Sequence, residues 1–286
     1  MTNNYLIFNR SFSLKNAVEG FLRAADSLRI PLTPLAGANL EVCFPQPAWS
    51  LAENTGFVLF LDKDILLAKT LEAAGYRICN SAGCIEVCDD KALTALHCRR
   101  LPMPRTVAAP FTYKNMELTD FSFLSSAAAA GFPVVVKERR GSLGEQVYLA
   151  RNMDELETLT RAHWRGDLIY QPLIGNPLCG EDIRVYVVGG EVTGAIKRVN
   201  DTGFRANYYA GARAYAYILN EEEKALALSA ARAVGADFCG VDLLVDGEER
   251  LLLEVNSGAA FTLLDQTLGT DTAKTILTHL VNKYAD

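Results

Sequence analysis

The stretch RLLLEVNSG, residues 250–258, drives three consecutive leucines into a glutamate and an asparagine. Extended backbone turns successive side chains to opposite faces, so Glu254 and Asn256 share one face while Val255 points back to the apolar side. The longer segment GVDLLVDGEERLLLEVN reads as two apolar strands joined by the turn-forming DGEER, a β-hairpin. If that hairpin is symmetric about Glu248, Asp242 lies opposite Glu254. Like charges directly across a strand pair destabilise it unless something positive sits between them. A hard divalent cation such as Mg²⁺ takes carboxylate and amide oxygens and bridges to phosphates, which makes Asp242, Glu254 and Asn256 the candidate metal ligands. The competing reading is a solvated hairpin edge that holds no metal.

The rest of the chain has to choose between the two. Its 286 residues suffice for one large or two ordinary domains, and 50% hydrophobic with 22% charged residues is a globular balance. The net charge of −6 argues against broad binding to nucleic acid or to an anionic membrane surface. The N-terminus lacks the pattern of a secretory signal, and no apolar run approaches the roughly 20 residues of a membrane span. Seven cysteines, an odd number, predict reduced thiols in a cytoplasmic protein. Cys79, Cys84, Cys88 and Cys98 cluster in sequence without the spacing of a familiar metal motif. Cys84 and Cys88, one helical turn apart, read as buried thiols on a helix face.

Over the first hundred residues strand and helix patterns alternate: YLIF, LKNAVEGFLRAADSLRI, FVLFL, then KDILLAKTLEAAGYRICN. Such alternation implies a mainly parallel sheet. Asp90 can cap the helix KALTALHCRR, and LPMPRT breaks the pattern, so a boundary falls near residues 101–110. Beyond it come a helix at AAAAGF, a strand over 133–137, a glycine-bearing loop and a strand over 146–150. A helix at NMDELETLTRAHW and a strand at DLIYQPLI follow. DIRVYVVGGEVTGAIKRV is then a hairpin turning at Gly189 and Gly190, 200–217 is irregular, and Asn220 caps a helix before the carboxylate hairpin. This half predicts α+β layers.

Lys137 ends an apolar strand and is followed by RRGSLG, a flexible loop whose amides can lie along phosphate oxygens while the lysine supplies a point charge. An ordinary β-turn beside a snorkelling lysine is the alternative. Neither the P-loop nor the dinucleotide fingerprint occurs. Asp182 and Arg184 share a strand face, and KRVNDTGFRAN brings Lys197, Arg198, Arg205 and Asn207 close in sequence. Cations beside carboxylate-held Mg²⁺ are what phosphoryl transfer needs.

This order of motifs resembles the ATP-grasp superfamily, and within it the RimK-type alpha-L-glutamate ligases, from about Asp90 onward. The resemblance implies an ATP-grasp fold of α/β and α+β class. An N-terminal pre-ATP-grasp α/β domain would cover residues 1–102 and an ATP-grasp domain 103–286, with a lid at about 132–174 and a metal-binding subdomain at about 175–286. It implies that Lys91, Lys137 and the loop residues Gly141, Ser142 and Gly144 contact ATP, that the Pro172 carbonyl and Leu173 N–H read adenine, and that Asp182 holds the ribose. Arg198, Asn207 and Arg205 would act on the γ-phosphate or acyl phosphate, and Asp242, Glu254 and Asn256 would bind Mg²⁺ or Mn²⁺. The chain departs from the family pattern at Pro172, where an acidic residue is usual, at Gln146, and in SGAAFT after Asn256.

The resulting expectation is an ATP- and Mg²⁺-dependent carboxylate–amine ligase working through an acyl phosphate. It would add glutamate or another amino acid to a peptide, a protein tail or a small metabolite, with a homo-oligomer left open. A phosphotransferase or a catalytically silent ATP-binding protein are the alternatives. Arg184 and Arg213 stand as carboxylate readers or as structural ion pairs.

Overall fold

The computed structural model of the chain describes residues 2–9, 15–113, 116–141, 144–206 and 211–285. Its N-terminal part contains β1 (Asn3–Phe8), α1 (Lys15–Leu28), β2 (Leu32–Ala36), β3 (Thr55–Leu61), α2 (Ile65–Ala73), β4 (Ile78–Cys79), α3 (Ala82–Asp89) and α4 (Lys91–His97). The strands form one sheet in the order β2-β1-β3-β4, every pairing parallel, as the alternating pattern predicts. The sequence reading misses β2 because LTPLA carries a proline. The strand is the sheet's edge and pairs only with β1, where a missing N–H can face away from the ladder. Helix starts are fixed by side chains that accept otherwise free amides: Asp64 from Leu67, Ser81 from Cys84, and Asp90 from Ala92 and Leu93.

A second sheet, antiparallel in the order β5-β8-β6-β7, is built from β5 (Val107–Ala108), β6 (Val134–Glu138), β7 (Val147–Ala150) and β8 (Leu168–Pro172). Helices α5 (Leu124–Ala127) and α6 (Met153–His163) pack on it around Tyr170 and Leu156. The helix expected at AAAAGF is only the single turn of α5. Gly131 follows at φ +92°, outside the helical region, and Pro133 begins the run into β6.

The third sheet, antiparallel in the order β11-β10-β9-β12-β13, carries the hairpins. Its strands are β9 (Gly180–Val188), β10 (Glu191–Asn200), β11 (Arg213–Ala216), β12 (Phe238–Asp246) and β13 (Glu249–Asn256). Between β11 and β12 runs α7 (Glu221–Val234), which Asn220 opens with a capping box to Glu223. The chain closes with α8 (Thr262–Leu268) and α9 (Thr272–Lys283), to which the sequence reading gives no assignment. It reads β11 as irregular, since four mostly exposed edge residues carry no alternating signal.

Strand alternation in this sheet divides the interior. Ile183, Val185, Val187, Val241 and Leu243 face α3 and α7 in one apolar cluster. On the other face Tyr186, Val188, Ile196 and Phe238 meet α1, α8 and α9, but farther along the same strands that face carries Asp182, Arg184, Arg198 and Asp242. One face therefore turns from apolar to charged part-way along its length. The expected boundary at residue 102 lies between α4 and β5, and both clusters run across it: Leu6 and Phe21 share a core with Leu280, and Cys84 and Val87 with Val241.

Candidate active site

The three sheets enclose a cleft of about 860 Å³ whose walls include Lys91, Lys137, Pro172, Arg205, Glu254 and Phe261. The hairpin that supplies its floor departs from simple symmetry. Asp246 pairs with Glu249 and Leu243 with Leu252, so the turn is centred between Gly247 and Glu248, not on Glu248. A bulge at Leu253 then shifts the register by one residue and brings Asp242 opposite Glu254. The expected pairing therefore exists because an extra residue corrects an off-centre turn.

The positive charge that this pairing requires comes from arginines. Arg184, directly across from Asp242 on β9, forks onto it with Nε–Oδ1 at 2.6 Å and Nη2–Oδ2 at 2.5 Å. Arg198 forks onto Asp182 at 2.6 and 2.5 Å, and its Nη2 also lies 3.1 Å from Asp242. Burial alone would raise the Asp242 carboxyl, yet Arg184 and Arg198 hold it down at about 2. Asp182 is pushed up to about 6 by burial, which its bond to Arg198 only partly offsets. Both oxygens of Asp182 accept from Arg198, as both oxygens of Asp242 accept from Arg184. Arg184 is likewise spent on Asp242, and Arg213 pairs with Asp201 on the surface, so both arginines take the ion-pair option.

Glu254 and Asn256 occupy one face, as alternation predicts, and the Asn256 amide nitrogen lies 3.0 Å from Glu254 Oε1 and 3.5 Å from Asp242 Oδ2. The donor-bearing end of an amide thus spans the two carboxylates where a cation would be attracted. Among the described residues no group of three or more His, Cys, Asp or Glu side chains is arranged to hold a metal. Two carboxylates with one amide suit Mg²⁺, which keeps waters and completes its shell with phosphate oxygens.

On the opposite wall, Lys137 donates to Gln171 Oε1 at 2.7 Å, and Gln171 is oriented by Thr106 through Nε2–Oγ1 at 2.8 Å. Burial pushes the Lys137 ammonium down to about 8; Glu254 pulls it back up and Lys91 lowers it further. Lys91 reaches Gly141 O at 3.1 Å and Arg205 reaches Gly144 O at 2.6 Å, so both cations touch the glycine loop. Behind them Asp90, almost fully buried, receives a forked bond from Arg139, which ties α4 to the end of β6. Lys197 pairs with Glu181 at 2.8 Å instead of joining the other cations. Ser142 and Asn207 lie outside the described residues.

The expected adenine reader needs correction. The Leu173 N–H donates to Pro133 O at 3.1 Å, continuing the β6–β8 ladder by one rung, and is not available to a base. The Ile174 N–H, next along, has no hydrogen-bond partner among the described residues, and Ile174 is one of the residues that line the cleft. Proline at 172 obscured this in the sequence, because it marks the hinge without showing where the ladder ends. The cysteines also regroup. Cys79 contacts Tyr284 at 3.1 Å, whereas Cys84, Cys88 and Cys98 lie with Cys239, distant in sequence, in an apolar core. Burial raises Cys98 to about 11 and Cys239 further, and the contact with Cys84 together with burial raises Cys88, so Cys88, Cys98 and Cys239 stay protonated.

The family model for a RimK-like ATP-grasp domain matches residues 101–280. The MG012 homolog of Mycoplasma pneumoniae is 31% identical over 286 residues, covering 95% of this chain and 96% of that protein. N-acetylaspartylglutamate synthase A of Mus musculus is 35% identical over 217 residues, which cover 73% of this chain but only 55% of the mouse protein. Among solved structures, the ATP-grasp ligase PsnB complexed with a minimal precursor superposes with a TM-score of 0.75 at 16% identity, covering 99% of both chains, a likeness of fold.

Proposed function

The chain belongs to the RimK-like ATP-grasp family, and from that premise we propose that this ATP-grasp ligase joins a substrate carboxylate to an amine through an acyl phosphate made from ATP. The observation that carries the reading is the convergence on one cleft of the cations Lys91, Lys137 and Arg205 with Glu254 and Asn256. The cations hold the polyphosphate, and Gln171 keeps the Lys137 ammonium turned into the cleft. Ile174 N–H and the Pro172 carbonyl take the adenine edge. Asp242, Glu254 and Asn256 would hold Mg²⁺, which neutralises charge on the transferred phosphoryl group when bound.

Arg198, fixed by Asp182 and Asp242, adds a guanidinium whose position is set before substrate arrives. The second sheet, closing over the cleft, excludes water that would hydrolyse the acyl phosphate. The amine then displaces phosphate. The relative named as a synthase of N-acetylaspartylglutamate supports an amino acid, glutamate or a relative of it, as the amine. The acceptor is a peptide, a protein tail or a small metabolite.

The test is ADP release from the purified chain with Mg²⁺-ATP, scanning amino acids against carboxylic acids and short peptides. Release that needs both partners, with a product heavier by the condensed unit, is expected, and Glu254→Gln should abolish it or raise the Mg²⁺ requirement. Release that needs no amine would make the protein a phosphotransferase; ATP binding without release from any pair would make it catalytically silent.

A further inference from the structure

Asn80 follows β4 directly and is 1% exposed, and no role assigned above uses it. Its side-chain amide is fully engaged. Oδ1 accepts from the backbone N–H groups of Asp237 at 2.7 Å and Phe238 at 3.3 Å, and Nδ2 donates to the carbonyls of Phe238 at 2.9 Å and Ser257 at 2.8 Å. A primary amide has two donors and two acceptor lone pairs, so each is taken. These partners sit at the ends of the two strands that bear Asp242, Glu254 and Asn256. Phe238 opens β12, and Ser257 follows Asn256 directly. The β12–β13 ladder runs out at Gly240 and Asn256, and the Asn80 amide bridges the two strands just past that point. The bridging group comes from the N-terminal sheet, about 160 residues away in sequence.

We propose that Asn80 is a positioning residue for the metal-binding end of the cleft. By pinning Ser257 and Phe238 it fixes Asn256, and through the Asn256 amide the spacing of Glu254 and Asp242. The proposal rests on the reading of those three residues as Mg²⁺ ligands. Loss of an outer partner of a metal-ligand set typically weakens metal binding by about 10- to 100-fold. Truncating Asn80 would also leave the buried groups of Phe238 and Ser257 without partners.

The experiment uses Mn²⁺ as the probe. The full chain is titrated with Mn²⁺ in the presence of a non-hydrolysable ATP analogue, followed by electron paramagnetic resonance, with thermal unfolding measured alongside. Asn80→Ala should bind Mn²⁺ about tenfold more weakly or worse. Tyr284→Phe, which removes the Cys79–Tyr284 contact at the same interface without touching the hairpin, should leave Mn²⁺ affinity unchanged. A folded Asn80→Ala with wild-type affinity overturns the proposal, as does an equal loss in Tyr284→Phe, which would mark a general interface effect. If Glu254→Gln leaves Mn²⁺ binding intact, the metal-site reading itself fails, a separate result. Should Asn80→Ala not fold, the wild type decides by hydrogen exchange. Because coupling is reciprocal, Mn²⁺ with the analogue must slow exchange of the Asp237 and Phe238 amides, and unchanged exchange refutes the role.

Discussion

Arg198 shows how strand pairing and charge together place one side chain. It is 4% exposed and lies between two carboxylates that would otherwise repel each other, one at hydrogen-bonded fork distance and one at 3.1 Å. Removing it leaves Asp182 and Asp242 buried with one arginine between them. Arg198→Ala is therefore expected to lower unfolding free energy by about 3–5 kcal/mol, read from urea denaturation. Lys137 makes a different prediction. Its ammonium is charged below about pH 8 and loses its proton above that, so affinity for a nucleotide analogue in EDTA should fall between pH 7 and pH 9. Lys137→Arg, charged throughout, should flatten that profile in a fluorescence titration. The sign for stability is opposite. The unfolded lysine titrates near 10.5, so the penalty for burying the ammonium is full below pH 8 and fades as pH rises from 8 to 10.5. Glu254 and Asn256 were legible in the sequence because alternation in a strand needs no knowledge of neighbours. The partners that neutralise Asp242 were not, because Arg184 and Arg198 are brought to it by strand pairing across tens of residues.

The glycine loop after β6 and the start of β9 decide where Lys91 and Arg205 sit. Gly144 adopts φ +72° and its carbonyl receives Arg205, so the loop needs a residue without a Cβ there. Gly144→Pro, which fixes φ near −65°, should reduce turnover at least tenfold on ADP-release kinetics while Tm changes little. Gly180 is constrained by contact instead, since a Cβ there would lie 2.4 Å from Phe204 O. β9 thus holds the segment leading to Arg205 at backbone distance. Elements of this kind were readable from turn chemistry, as at Gly189–Gly190, and from caps, as at Asp90 and Asn220. The bulge at Leu253 was not, because an apolar residue in an apolar strand gives no local sign that it is the extra one.

The first and third sheets do not fold around separate interiors, whereas the second keeps one of its own. Leu6 and Phe21 from β1 and α1 share a buried cluster with Tyr186, Ile196 and Leu280, and Val87 shares another with Val241. A fragment of residues 103–286 would expose the faces that the N-terminal elements cover. It is expected to lack a cooperative calorimetric transition, whereas the full chain unfolds in one. The composition shift near residue 102 marks a change of architecture, from parallel βαβ units to antiparallel hairpins. Sequence patterns report that change because they are local; they do not report which faces meet. α1 packed against α9 has a consequence for synthesis: Leu6 is made long before Leu280, which lies in the same buried cluster. The nascent N-terminal sheet must keep an apolar face uncovered until α9 has been made, so this chain depends on slow, long-range closure and on protection from aggregation until that closure is made.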